Sequence, residues 1–320
     1  MARDPTPRGN TVVTGAAGFA GSHLVDRLIR LEPVVGWHRP GSPARDVGER
    51  VRWVPVDLLD RARVRQALAE LRPSRVFHIA GAARADTSWT NVVPHLETNV
   101  LGTHYLLDSI RELSLPCRVL VVSSGMLYHI DAGPLAEDAP LVPSSPYGMS
   151  KLAQDQLALQ AAVDDGLDVV VARPFNHMGP RQAQHFAVGS FARQIALIEA
   201  GRADPVIRVG NLDAARDLTD VRDVADAYEQ LMERGLRGRA YNVCSGTAVP
   251  IRQVLDELLS LSTTTVRVDI DPERLRPSDI PVLLGDPARI RREVGWRPSF
   301  ALRDTLRDTL DWWRSQTRPD

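Results

Sequence analysis

Lysine is almost missing from this sequence. Of 39 basic residues in a chain of 320, one is a lysine, Lys151, and the rest are arginine. A solitary ammonium in an arginine-rich chain asks for a chemical reason that a guanidinium does not meet. Cysteine is nearly as scarce. Cys117 and Cys244 lie far apart, each within an apolar run, which excludes a disulfide framework and points to buried free thiols. The eight histidines are scattered without zinc-ligand spacing, so no metal site is expected. Excess charge of either sign is lacking too. Forty acidic side chains balance the basic ones to a net charge of −1, so no global field draws nucleic acid or an anionic membrane, and neither partner is expected. Long apolar runs are absent. The longest stretch without an ionised residue, Gly9–Val25, is interrupted by Gly, Asn, Thr, Ser and His. It suits neither a membrane span nor the core of a secretion signal, so the cytoplasm is the expected location.

What is present is the composition of a globular protein, 43% apolar and 25% charged, with enough chain for two domains or one large α/β unit. A strand over Asn10–Thr14 is followed by a glycine-rich turn and a helix-patterned Ser22–Leu31. Strand-like runs recur at Pro33–Trp37, Val51–Val56, Arg75–Ala80, Arg118–Ser123 and Leu167–Ala172. Helix-period segments over Asp60–Leu71, Val93–Leu113 and Pro146–Asp165 separate them. This alternation, with continuous runs such as Val119–Val122, predicts an α/β fold: a doubly wound parallel sheet of the Rossmann kind. After Pro174 the alternation loosens into a helix over Ser190–Ala200, an arginine-rich loop over Arg208–Arg216, a helix over Val221–Arg234 and a strand over Arg239–Cys244. The expected organisation is a dinucleotide-binding domain from residues 1–174 and 217–247. A smaller mixed α/β substrate-binding domain takes 175–216 and 248–320.

Glycines at 15, 18 and 21, with Phe19 between them, form G-x-x-G-x-x-G at the point where the first strand gives way to a helix. Glycine there allows a tight turn, brings backbone N–H groups to a pyrophosphate and lets the helix pack on the strand. The second strand ends in Trp37-His38-Arg39 with no carboxylate. An acidic residue would hold a ribose 2′-hydroxyl, whereas Arg39, helped by His38, suits the 2′-phosphate of NADP(H). The bland alternative makes Arg39 one more solvated arginine. Asp57 and Leu58 are placed to border an adenine, and Ala80 begins Ala-Gly-Ala, over which backbone and cofactor can approach.

Tyr147 and Lys151 are four apart, so on a helix they share a face. A phenol titrates near 10, too high for acid–base work at neutral pH unless a neighbouring cation lowers it. With that help Tyr147 can exchange a proton with a substrate oxygen that Ser124, at the end of the fifth strand, holds in place.

Together Thr14–Gly21, Ser124, Tyr147 and Lys151 resemble the extended short-chain dehydrogenase/reductase family, most of whose members modify nucleotide-diphosphate sugars. The resemblance covers nearly the whole chain. It makes Asn99 the family's structural asparagine and gives Asn176, in Arg-Pro-Phe-Asn-His, a contact to the substrate phosphates. It assigns Arg216 and Arg276 to the substrate pyrophosphate, with Arg208 and Arg181 as weaker candidates, and the Asp86–Trp89 loop with Ser88 to the hexose. Ser88 and Trp89 suit a packing role equally.

The wording Phe-Asn-His, Val209–Asp213 and Tyr241–Gly246 resembles the GDP-mannose branch, which holds 4,6-dehydratases and 4-keto reductases. Dehydratases carry acidic residues directly after the catalytic Ser/Thr, and here Gly125 and Met126 stand there. The resemblance therefore implies NADPH-dependent reduction of the 4-keto group of a GDP-4-keto-6-deoxy-hexose. It also implies a homodimer through Val93–Leu113 and Pro146–Asp165. A nucleotide-sugar 4-epimerase is the nearest alternative, and a non-catalytic NADP(H)-binding sensor is the second.

Overall fold

The valine-rich runs become strands because a β-branched side chain fits a pleated surface covered on both faces. The computed structural model describes residues 10–42, 50–83, 89–130, 133–275 and 280–317. Strand β1 (Thr11–Thr14) leads into helix α1 (Phe19–Leu28), then β2 (Val34–His38), β3 (Val51–Pro55), α2 (Arg61–Leu71) and β4 (Arg75–His78). A helical run follows, made of α3 (Val92–Leu96), a π-helical turn over Glu97–Leu101, and α4 (Gly102–Glu112). After it come β5 (Arg118–Val122), a short 3₁₀ turn (Gly125–Leu127), α5 (Pro146–Asp164) and β6 (Asp168–Pro174). The rest of the chain supplies β7 (Asn176–Met178), α6 (Ala187–Glu199), β8 (Val206–Val209), β9 (Ala215–Asp220), α7 (Val221–Arg234) and β10 (Ala240–Val243). It ends with β11 (Ala248–Pro250), α8 (Ile251–Ser260), β12 (Arg267–Ile270), β13 (Val282–Leu283), α9 (Ala288–Glu293) and α10 (Leu302–Thr317).

The main sheet has seven parallel strands in the order β10-β6-β5-β4-β1-β2-β3, the doubly wound arrangement that the alternation predicted. Its strand order reverses at β1, and a crevice opens beyond the strand ends at such a switch point. Two hydrophobic layers sandwich the sheet. One joins Val12, Val76, Val119 and Val169 to α2, α4 and α5. The other joins Val13, Phe77, Leu120 and Val170 to α1 and α7. A separate core is built from α6, α8 and α10 around Ile195, Ile207, Leu255 and Leu306. Small sheets accompany it: β9 pairs with β7, β11 and β13, and β12 pairs with β8. Among the described residues no helix is long and apolar enough to cross a membrane.

Several boundaries differ from the sequence expectation. Helix α1 starts at Phe19 rather than Ser22, so Gly21 lies inside it. A Cβ on Gly21 would collide with the Gly15 carbonyl, so only glycine lets the helix follow the turn this closely. The helical run over 92–112 is not uniform α-helix, and its π turn carries Asn99, which is fully buried. The loop expected over Arg208–Arg216 is shorter, because β8 extends to Val209 and β9 begins at Ala215. Helix α7 has the expected limits, and β10 returns to the main sheet beside β6. Local capping accounts for two starts. Ser145 accepts from Gly148 N (3.1 Å) ahead of Pro146 in α5, and Asp220 accepts from Arg222 N (2.7 Å) in α7.

One buried ion pair ties α5 to the sheet. Arg173 on β6 donates Nε and Nη2 to the two oxygens of Asp155, each at 2.8 Å, and Nη1 to the Tyr128 hydroxyl at 2.9 Å. Tyr128 in turn donates to Asn242 of β10 at 2.7 Å. Removing the carboxylate strands a guanidinium that is only 3% exposed. Asp155→Ala is expected to lower the unfolding free energy by about 3–5 kcal/mol, read by denaturant titration. A loss below about 1 kcal/mol would show that the pair is not desolvated as drawn.

Candidate active site

A cleft of about 1620 Å³ runs across the carboxyl ends of the main sheet and is walled on the far side by α6, β7 and β9. The glycine turn forms its floor at β1. Gly15 has φ +66°, and a Cβ there would stand 2.8 Å from the backbone of Ala80, so the two loops meet at backbone distance. Gly18 N bonds to Gly15 O (2.9 Å), and the first turn of α1 carries neither an acidic residue nor a side-chain cap. That leaves a helix N-terminus facing the cleft with its positive dipole end uncompensated.

Each expected dinucleotide residue that was named lines this cleft: Gly15, Gly18, Phe19, Gly21, Arg39, Asp57, Leu58, Ala80, Tyr147 and Lys151. Arg39 is exposed at the rim, next to His38. The Asp57 carboxylate also accepts from Leu59 N (3.0 Å), which shapes the turn into α2.

Ser124, Tyr147 and Lys151 converge from β5 and α5. The Ser124 and Tyr147 hydroxyls share a hydrogen bond, and Ser124 Oγ also accepts from Met126 N at 3.1 Å. Burial pushes the Tyr147 phenol above its ordinary value, and the Ser124 bond opposes that shift. The expectation that Lys151 lowers the phenol is not met in the chain alone. The lysine Nζ donates elsewhere, to Val122 O (2.9 Å) and Gln154 Oε1 (2.8 Å). Burial lowers the ammonium to about 7, and the Asp155 carboxylate one turn on partly counters it.

Gln154 opens a buried hydrogen-bonded line that sequence reasoning missed. Its Nε2 donates to Thr103 Oγ1 (2.7 Å), which donates onward to Asn99 O (2.7 Å). With its proton so used, Thr103 accepts from His78 Nε2 (2.9 Å), and His78 Nδ1 accepts from Thr14 Oγ1 (2.9 Å). Thr14 accepts from Ala80 N (3.2 Å). Burial, with the Lys151 charge adding to it, lowers His78 to about 3, so the imidazole is neutral as this pattern requires. Asn99 completes the frame: Oδ1 accepts from Ala82 N (2.8 Å), and Nδ2 donates to Ser150 Oγ (2.8 Å) in the first turns of α5. A Cβ on Gly81 would lie 2.8 Å from Asn99 Oδ1 and 3.2 Å from Lys151 Nζ, so glycine there leaves room for both. The signal was available in part, since Gln154 lies three residues past Lys151 on the same helix.

On the opposite wall Asn176 and Arg216 line the cleft as expected. Arg216 Nη1 donates to the carbonyls of Ala215 (2.9 Å) and Ile280 (2.7 Å). Arg208 does not reach the cleft. Alternation along β8 buries Ile207 and Val209 and turns Arg208 outward, a correction to its expected substrate role. Arg181 is held instead by Asp26 (2.7 Å) and His23 (2.9 Å) of α1. Ser88 and Arg276 lie outside the described residues, as does most of the Asp86–Trp89 loop. Arg274, which was not singled out, lines the wall with its guanidinium near Asp271 (3.2 Å) and Ser190 (3.3 Å). His177 also lines it. Its ring stacks on Phe19 at 5.7 Å and 5°, and its Nδ1 meets Phe175 O at 3.1 Å.

The position after Ser124 is tight. A Cβ on Gly125 would sit 3.0 Å from the Phe175 ring, which would have to give by a few tenths of an ångström to admit one. A phenol, a hydroxyl and an ammonium beside a dinucleotide-shaped floor can polarise and protonate a carbonyl oxygen.

The chain is similar to known proteins over nearly its full length. The model of the family described as GDP-mannose 4,6 dehydratase matches residues 12–309. The GDP-6-deoxy-D-mannose reductase of Pseudomonas aeruginosa is 34% identical over 311 residues, covering 96% of this chain and 98% of that protein. The solved structure of RMD from Pseudomonas aeruginosa complexed with NADPH superposes with a TM-score of 0.84 at 33% identity, covering 97% of this chain and 100% of the other. UDP-glucose 4-epimerase of Thermus thermophilus, solved with NAD, superposes at 0.85 with 29% identity over 95% and 99% of the two chains. With the seven-stranded parallel sheet, the glycine turn and the Ser/Tyr/Lys set, the chain belongs to the extended short-chain dehydrogenase/reductase family, in the group that the GDP-mannose 4,6 dehydratase model describes.

Proposed function

We propose that this chain is an NADPH-dependent reductase of the 4-keto group of a GDP-4-keto-6-deoxy-hexose. The observation that carries the choice within its family is the pair of residues directly after Ser124. Dehydration needs proton-transferring groups there, and Gly125 and Met126 supply none. Reduction needs none.

The residues fit a 2′-phosphorylated dinucleotide. Gly15, Gly18, Phe19 and Gly21 with the free end of α1 suit its pyrophosphate, and Arg39 with His38 suits the 2′-phosphate. Asp57 and Leu58 border the adenine, Ala80 lets backbone approach, and Tyr147 and Lys151 reach the nicotinamide ribose. When bound, NADPH supplies a hydride to C4. Ser124 hydrogen-bonds the C4 oxygen and Tyr147 gives it a proton, while Lys151 holds the ribose and favours the phenolate left behind. Asn176, Arg216 and Arg274 anchor the nucleotide-sugar phosphates, so binding far from C4 orients the sugar. Arg276 and Ser88 belong to the same substrate set. Residues 1–174 with 217–247 form the dinucleotide domain in this reading, and 175–216 with 248–320 form the substrate domain.

A 4-epimerase uses the same three side chains and commonly retains NAD, and the end of β2, with Arg39 and no carboxylate, argues against it. The experiment is NADPH oxidation, followed by absorbance, with purified protein and the GDP-4-keto-6-deoxy-hexose. Tyr147→Phe is expected to lose at least about a hundredfold in kcat while NADPH still binds. Turnover of another nucleotide sugar in place of this one would sink the substrate assignment.

Lys151 makes a second prediction. Its folded value of about 7 lies below the roughly 10.4 of an unfolded lysine. Between these the unfolded chain binds more protons, so this residue makes the cofactor-free fold gain stability as pH rises from about 7 toward 10. Raising the pH from about 7 to 9 should lift the melting midpoint of the unaltered protein relative to that of Lys151→Met. Parallel curves would show that the ammonium is not desolvated.

We also propose a homodimer. Val93 is 61% exposed, Met149 58% and Val163 72%, and Met149 and Val163 lie fourteen residues apart on one face of α5, next to α3. Exposed apolar side chains at both ends of that face and on neighbouring α3 suit a second helix pair. Light scattering is expected to give twice the chain mass, and Met149→Asp to halve it.

A further inference from the structure

A buried polar atom without a partner costs free energy in a folded protein, so where one borders a ligand cleft the ligand is the natural source of its missing bond. Among the described residues the Tyr228 hydroxyl is such an atom. Tyr228 is 0% exposed, sits in the hydrophobic layer with Phe77, Leu120, Val122 and Ala172, and lines the cleft. Replacing it with phenylalanine would preserve that packing, so packing alone does not account for the oxygen.

Its place in the fold says which part of the cleft it serves. Helix α7 packs beneath β4, β5 and β6, not beneath β2 and β3, where Arg39, Asp57 and Leu58 stand. Tyr147 and Lys151 enter from α5, on the other face of the sheet. Tyr228 thus comes up from below at the end of the cleft that holds the Ser124, Tyr147 and Lys151 cluster. The hydroxyl lies close enough to Tyr147 that charge on one disfavours charge on the other. Phe19 of α1, stacked on His177, and Tyr228 of α7 line the cleft from one face of the sheet, and Tyr147 of α5 lines it from the other. The polar substituent of a nicotinamide ring is its carboxamide, which offers one acceptor oxygen and two donor hydrogens. A phenol can bond to either.

We propose that the Tyr228 hydroxyl is a cofactor-binding group that hydrogen-bonds the nicotinamide carboxamide and so fixes how the ring is seated against the substrate carbonyl. The assignment rests on the dinucleotide reading above and adds a residue on α7 to it. In the cofactor-free protein the hydroxyl is unsatisfied and mildly destabilising. In the complex it is satisfied.

The test is Tyr228→Phe, titrated with NADPH by the fluorescence of the bound reduced ring, and in parallel with 2′-phospho-ADP-ribose, which lacks nicotinamide. The variant is expected to bind NADPH about five- to tenfold more weakly. It should bind 2′-phospho-ADP-ribose as the unaltered chain does, and melt without cofactor at the same temperature or higher. Unchanged NADPH affinity would overturn the proposal, and so would an equal loss for both ligands, since that places the effect away from the ring. A cofactor-free variant that melts clearly lower would also overturn it, by showing that the hydroxyl already has a partner. An unaltered protein that binds neither NADPH nor NADH removes the dinucleotide reading and this one together. A defect confined to Tyr228→Phe with NADPH leaves both standing.

Discussion

The site depends on holding one ammonium ion inside a protein. Desolvation works against the charge of Lys151 strongly enough to bring it near neutrality, so the surrounding structure has to supply acceptors in fixed places. The Val122 carbonyl at the end of β5 and the amide of Gln154 do so. Everything behind them is arranged to keep those acceptors still. Gln154 is braced by Thr103, Thr103 by Asn99 and His78, and His78 by Thr14 at the glycine turn. Neutral acceptors bond the lysine directly, and the Asp155 carboxylate one turn on supports its charge.

The same line connects two functions. Thr14 and Ala80 shape the floor on which a pyrophosphate would lie, and Lys151 stands beside the phenol that would move a proton. A rigid polar line between them fixes the spacing between phosphate cradle and reaction centre, the quantity that positioning catalysis needs. The π turn belongs to this frame. It carries Asn99, buried between the Ala82 backbone and Ser150, so the loop after β4 and the first turns of α5 are held by one side chain.

Restriction matters as much as reactivity. Gly125 lies under the Phe175 ring, and neither it nor Met126 carries the carboxylate that an elimination would need. On the substrate wall, by contrast, several guanidiniums are present and strand geometry sorts them: β9 turns Arg216 into the cleft and β8 turns Arg208 away.

Much of this was legible in the order of residues. The glycine spacing, the tyrosine and lysine one helical turn apart, and the alternation of valine runs with helical periods each depend on local geometry, so they can be read without a fold. For the same reason the doubly wound sheet follows from the sequence alone, and Ser124, Tyr147 and Lys151, expected together there, line one cleft. Which arginine faces the cleft, what holds the lysine, and that a tyrosine of α7 reaches the cleft were decided by tertiary structure. Those properties depend on contacts between segments 14, 78, 103 and 154, or 147 and 228, far apart in the chain, and no periodicity within one segment records what another segment brings to it.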